Sequence, residues 1–309
     1  METIKSHSPT GRWDCAGGTI FRRLHSYRSG EPADRKEVQG KMKSYTLLIL
    51  LLASIATFAQ TQRTTPGSEA ELAQITERGK NLAAYDFAAW HGSDAVRALQ
   101  PTEGSVVRYI AQRTGNGWTV AFGRLNEKRD KFLISYEAIQ GSTPAEFKAV
   151  KHGPPREDAG FFLFAARAID TSVADFKGEA RPYNVAVLPA PSNQLYVYVL
   201  PAQTKSGVYP LGGDVRYLVS EDGLKIIEKR QMHKAIIEFS MVGNTKAGFH
   251  TAIMDQIPED SDVFHVLVRK PSVPQLIATS LFVYQIEPDG KIRYVMTWEA
   301  FRKIGQPNN

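Results

Sequence analysis

Apolar and polar residues alternate through much of the chain after residue 104, the period of two that puts successive side chains on opposite faces of a strand. The pattern is densest from Tyr183 to Tyr294. Two Asp-Gly pairs punctuate it. Asp222-Gly223 separates residues 214–220 from 224–230, and Asp289-Gly290 separates 281–286 from 291–295. Both predict β-hairpins with type I′ turns, which need φ > 0 at both central residues; Asp tolerates this and Gly has no Cβ to clash.

The period differs nearer the N-terminus. Ser68-Glu-Ala-Glu71 fits a capping box, and Leu72, Ile75 and Leu82 follow at helical spacing, predicting a helix over 68–84 with Gly79 as a weak point. A second helical piece over 85–99 is expected to break near Gly92, leaving Trp90-His91-Gly92-Ser93-Asp94 as an exposed turn. Residues 105–113, 118–125 and 131–140 read as strands, the first two joined at Gly115-Asn116-Gly117. Residues 145–158, with Pro154-Pro155, read as a loop or frayed helix. For residues 159–169, alanine content favours helix, but periodicity leaves the choice open.

Further strands are expected at 183–188, 195–200, 236–241 and 249–254, with a Pro- and Gly-rich loop over 201–213. Pro258 to Asp262 places a proline early and acids in a first turn, so 258–269 reads as a helix stopped by Pro271, with a strand as its competitor. A helical turn is expected from Trp298. Helices first and hairpins afterwards predict an α+β fold with a mostly antiparallel sheet and one or two short helices packed on it. Residues 60–309 read as a single domain with a seam near 150–158 as the alternative.

Composition changes this picture at one end. Residues 46–59 form a short apolar run after Lys41-Met42-Lys43 and finish in Thr57-Phe58-Ala59, the outline of a secretory signal peptide cleaved after Ala59. The run is too short to span a bilayer as a helix. Met42 starts a leader of ordinary shape, so residues 1–41 read as a non-native upstream extension, the alternative being a long basic presequence. The expectation is an exported, periplasmic or extracellular protein without a stable membrane span. Its mature part lacks cysteine, since Cys15 is the only one, which excludes disulfides and thiolate chemistry there. The formal charge is +6. Nine of the 38 basic and five of the 32 acidic residues precede position 60, so the remainder is only +2. Its basic residues are scattered, which argues against a nucleic-acid partner.

The sequence contains no Gly-x-Ser-x-Gly elbow, P-loop, dinucleotide-binding glycine fingerprint or His-Glu-x-x-His. One segment carries metal chemistry in outline: Phe249-His250-Thr251-Ala252, followed by Asp255, Asp260, Ser261 and Asp262. It resembles the zinc motif of JAMM/MPN-type metalloproteases, a strand ending His-Ser/Thr-His and then a helix with Ser-x-x-Asp. His250 matches; Ala252 stands at the second His, and Phe264 at the Asp counted from Ser261. The resemblance implies a metal-dependent hydrolase centred on His250. Independently of it, His233, His250, His265 and Asp255 are candidate ligands for zinc or another divalent ion.

The other candidate surface is aromatic. Tyr196 and Tyr198 share a strand face, with Tyr209, Asp214, Arg216 and Tyr217 nearby in sequence. An open face of that composition would suit a protein, peptide or glycan ligand. The missing catalytic motifs make a non-catalytic binding domain the first expectation, with the metal-dependent hydrolase as its alternative.

Overall fold

The computed structural model describes residues 63–304 apart from Asn116 and residues 241–243. The leader at 42–59, the extension at 1–41 and Cys15 lie outside the described residues. The fold is α+β. Among the described residues no helix is long and apolar enough to cross a membrane.

Helix α1 (Glu69–Arg97) opens with the expected capping box, in which Ser68 and Glu71 satisfy one another's backbone amides. Four antiparallel strands follow in sequence order: β1 (Arg108–Thr114), β2 (Gly117–Leu125), β3 (Phe132–Gln140) and β4 (Phe147–Asp158). Helix α2 (Phe161–Asp175) leads to β5 (Tyr183–Pro189), β6 (Leu195–Pro201), β7 (Val208–Gly212), β8 (Val215–Val219), β9 (Ile226–Gln231) and β10 (Ile236–Ser240). A second antiparallel sheet has the order β5-β6-β8-β9, and β7 pairs with β10. The last sheet runs β11 (Gly248–Thr251), β12 (Gln275–Ala278), β13 (Phe282–Ile286) and β14 (Ile292–Thr297). Its first pair is parallel, as a crossover through α3 (Asp260–Val268) requires. Helix α4 (Trp298–Ile304) ends the described chain.

The first two sheets are covered on both faces, which explains their nearly continuous apolar runs. Val187, Val197, Val199 and Tyr217 join Ile110, Phe132 and Ile134 in a core around α2. Their strand neighbours Ala186, Leu188, Tyr198 and Leu200 join Ala111, Phe122 and Tyr136 in a core with α1. A third core joins Leu72 and Ile75 of α1 to Val263 and Val266 of α3 and to Ile277, Tyr284 and Ile286 of the last sheet.

Several expectations are corrected. Helix α1 does not break at Gly92, and Trp90 to Asp94 are helical. Its glycines mark close contacts: a Cβ on Gly92 would lie 2.9 Å from Val120 Cγ2, and one on Gly79 only 2.4 Å from Val263 Cβ. Residues 147–158 form strand β4, an edge strand, where prolines cost no ladder hydrogen bond. The loop expected over 201–213 contains β7, and β12 was not foreseen. Neither Asp-Gly turn is type I′. Only the glycines are left-handed (Gly223 φ +77°, Gly290 φ +85°). The Gly223 amide donates to Ser220 O at 2.9 Å and the Gly290 amide to Glu287 O at 2.8 Å. These are longer hairpin loops closed by a left-handed glycine. Gly223 also rests on α2, where a Cβ would lie 2.2 Å from Phe164 O.

The α1–α3 contact generates a prediction of opposite sign to helix propensity. In an isolated helix Gly79→Ala would gain about 1 kcal/mol. Here the added methyl also meets Asp260 O at 2.7 Å, so a net loss of about 2 kcal/mol is expected from overpacking. Urea unfolding of the two proteins checks it; an equal or higher midpoint for Gly79→Ala would contradict this packing.

Candidate metal centre

The N-terminus of α3 is where the sheets' polar side chains meet. Glu259, Asp260, Ser261 and Asp262 are all buried, although acids in a first helical turn usually face water. Each acid is engaged by a different element. Arg230 of β9 holds Glu259 through two nitrogens, with Nη2 at 2.6 Å and Nε at 2.9 Å from its oxygens. Asp260 accepts from Arg78 Nε of α1 at 2.9 Å, Tyr198 Oη of β6 at 2.9 Å and Arg216 Nη1 of β8 at 2.5 Å. Burial pushes the Glu259 carboxyl up to about 7, against the pull of Arg230.

Asp262 has a different environment. Its Oδ2 accepts the backbone amide of Glu259 at 2.8 Å, the reciprocal half of a helix cap. That bond leaves Oδ1 facing two imidazoles, with His250 Nε2 at 3.0 Å and His233 Nε2 at 3.2 Å. Despite these distances none of the three atoms has a hydrogen-bond partner, and all three are buried. The atoms lie off the axes a hydrogen bond needs. This is the arrangement expected of ligand atoms aimed at a common point between them. Tetrahedral zinc with bonds near 2.0–2.1 Å has ligand atoms roughly 3.3 Å apart, close to the two separations from Asp262 Oδ1, and all three atoms lie within 4.8 Å of one another. The cluster His233, His250 and Asp262 could therefore coordinate a divalent metal.

Two sheets deliver the histidines. His250 lies on β11; His233 follows β9, in the connection to β10. Gly212 (φ +89°) and Gly213 (φ +66°) turn the chain between β7 and β8, and a Cβ on Gly212 would lie 2.3 Å from Ala235 O. That close approach sets Asp214 Oδ1 at 2.9 Å from His233 Nδ1. A carboxylate on the far nitrogen of a ligating histidine fixes the ring and raises its basicity. Burial disfavours the charged form of His233, but Asp214 and Asp262 outweigh it and hold its pKa well above the ordinary value. Burial likewise opposes ionisation of Asp262, and the two histidines reverse that, keeping its pKa well below the carboxylate range.

Not every candidate ligand joins the cluster. His265, one turn after Asp262, is buried, and desolvation pushes it down to about 4, so it is neutral at pH 7. Its Nε2 has no hydrogen-bond partner, yet it stands outside the convergent three. Asp255 is absent from the cluster because Arg230 Nη2 binds it at 2.8 Å. Sequence reasoning passed over Asp262 as a ligand and read it as a helix-start acid. Its Asp-x-x-His spacing to His265 puts both on one helix face, but His265 stands outside the three, so no local signal marks Asp262.

The aromatic residues are not gathered on an open face. Tyr198 points toward α1 and α3 and binds Asp260; Tyr217, on the other face, donates to Asp175 Oδ2 at 3.1 Å. Both are fully buried. Arg216 stacks over Tyr196 at 5.0 Å while holding Asp260. Tyr209 is buried on β7 and accepts the Lys270 amide at 3.0 Å. Asp214 serves His233. A cavity of about 410 Å³ does lie nearby, lined by Lys177, Tyr183, Gly213, Gln231, Lys234 and Met254 among others. Comparisons with protein-family models, curated proteins and solved structures gave no match.

The contrast between Asp260 and Asp255 can be measured. Asp260→Asn would strip the anion from two arginines at a site with no exposure, so a loss of about 3 kcal/mol or more is expected. Asp255→Asn, in a half-exposed pair, should cost less than about 1 kcal/mol. Urea unfolding of both variants gives the comparison; similar losses would refute this division.

Proposed function

We propose that this protein is an exported metal-dependent hydrolase whose divalent ion is held by His233, His250 and Asp262. The observation that carries the reading is the convergence of three buried, unpartnered ligand atoms around one point. Left without an ion, such atoms are costly, because burial deprives them of water. Two imidazoles and a carboxylate suit zinc, and three protein ligands leave a coordination position for water, the pattern of catalytic rather than structural zinc sites. A bound ion there would lower the pKa of that water and polarise a scissile bond. The chain's part is to hold the ligands: Asp214 orients His233, and the Glu259 amide orients Asp262. Both histidines retain about 8% exposure, and Gly213 and Lys234, neighbours of Asp214 and His233, line the adjoining cavity. A substrate received in that cavity would approach beside the centre. The burial of Tyr198 and Tyr217 weakens the competing reading of a tyrosine-lined binding face.

Two outcomes are expected. Purified protein supplied with zinc and then desalted should retain about one ion per chain by elemental analysis. His250→Ala and Asp262→Asn should lose it. Equal retention in the variants would remove the site. Retention without chelator-sensitive hydrolysis of ester, amide or phosphoester substrates would leave a metal protein and reject the hydrolase.

The second outcome concerns pH. His233 carries a proton while its pKa is held up by Asp214 and Asp262, and a metal at Nε2 must expel it. Zinc affinity should therefore rise about tenfold per pH unit below that raised pKa and flatten above it. Calorimetric titrations at several pH values measure the slope; a pH-independent affinity would show that His233 is not a ligand.

A further inference from the structure

The ring nitrogen of His250 away from the cluster faces an amide rather than a carboxylate. Gln275 of β12 places Nε2 3.0 Å from His250 Nδ1. The amide is held in that sense by Arg269, whose Nη1 donates to Gln275 Oε1 at 2.5 Å and whose Nη2 donates to Val273 O at 2.7 Å. Arg269 is 2% exposed, and its Nε has no hydrogen-bond partner. Among the described residues it forms no ion pair, so Gln275 Oε1 is one of only two acceptors its guanidinium has. Gly248 leaves room for this arrangement, since a Cβ there would lie 2.0 Å from Gln275 Oε1.

These contacts have a polarity. A guanidinium only donates, so the atom it meets must be the amide oxygen. The amide nitrogen then faces Nδ1 and donates to it. An imidazole whose Nδ1 accepts carries its proton on Nε2. That is the atom the metal requires.

Resting on the metal reading proposed above, we infer that Gln275, locked by Arg269, is a gate on metal loading. In the closed state His250 holds its proton on Nε2, the nitrogen that lies 3.0 Å from Asp262 Oδ1. To load, the amide turns over so that Oε1 faces the ring. The proton on Nε2 is exchanged for one on Nδ1, which frees Nε2 for the ion. Arg269 loses an acceptor in the process, and the ion is bound more weakly than the three ligands alone would allow. His233, with Asp214 behind it, has no such lock. Gln275 is thus a positioning residue that tunes how readily the centre fills and empties.

The test uses the full chain and zinc alone as the probe. Gln275→Glu supplies an acceptor for a proton on Nδ1 and a partner for Arg269 at once. Arg269→Met frees the wild-type amide to turn. Both should bind zinc roughly tenfold more tightly than the unaltered protein, within the range found for changes behind a metal ligand; a purely structural role predicts weaker binding in both. The unaltered protein gives an independent readout that needs no variant to fold. Histidine side-chain ¹⁵N shifts should place the His250 proton on Nε2 without metal and on Nδ1 with it. A proton on Nδ1 in the metal-free protein overturns the gate. Zinc binding by the unaltered chain with unchanged or weaker affinity in the variants also overturns the gate while leaving the metal site. Failure of all three proteins to bind zinc overturns both.

Discussion

The structure depends on the burial of four consecutive polar residues, Glu259 to Asp262, at the start of α3. Ionised carboxylates are expelled from a protein interior unless cations and donors meet them there. Meeting these three recruits Arg230 from β9, Arg78 from α1, Tyr198 and Arg216 from the second sheet, and histidines from β11 and the β9–β10 connection. A short helix thereby becomes the junction of elements far apart in sequence. Apolar packing sets the distances: Gly79 lets α1 lie against Val263, and Val263 and Val266 seat α3 on the last sheet.

That junction separates two kinds of acid. Asp260 is surrounded by strong donors whose charge balances it, and it acts as a fastener. Asp262 caps the helix through Oδ2 and turns Oδ1 to two imidazoles, in a geometry that closes no hydrogen bond with either. Arginine cannot give up its proton in a protein, so the acids it holds are committed to structure. Imidazole can give up its proton, and a site made of imidazoles and a carboxylate can exchange protons for an ion. The capacity to hold a metal therefore sits at one residue of the run and the fastening at its neighbours.

The groups behind the ligands divide in the same way. Asp214 accepts from His233 and leaves Nε2 available once its proton is lost. Gln275, its oxygen taken by Arg269, turns its amide nitrogen to His250 Nδ1. In the proposed metal centre, one side is prepared for a cation and the other is held back by a buried guanidinium. Polar groups in a low-dielectric interior act on one another strongly enough for such a difference to matter.

Sequence alone determined the local elements: the capped start of α1, most strands of the first two sheets, the last hairpin, and a helix beginning near Pro258. Each follows from a period or a cap, which are properties of neighbouring residues. It missed β4, β7 and β12, where prolines or shortness hid the alternation, and it split α1 at a glycine whose purpose is contact with another element. Of the candidate ligands, His233 and His250 were legible as residue types, and Asp255 was chosen in place of Asp262. Nothing in the local pattern says that Arg230 occupies Asp255 while Asp262 faces two histidines. Alternation places Tyr196 and Tyr198 on one strand face, but it does not say whether that face is open; Tyr198 and Tyr217 lie on opposite faces of a sheet buried on both sides. The chain's periodicity decides which way a side chain points relative to its own element. Which partner it meets depends on how the elements pack, and only the tertiary structure decided that.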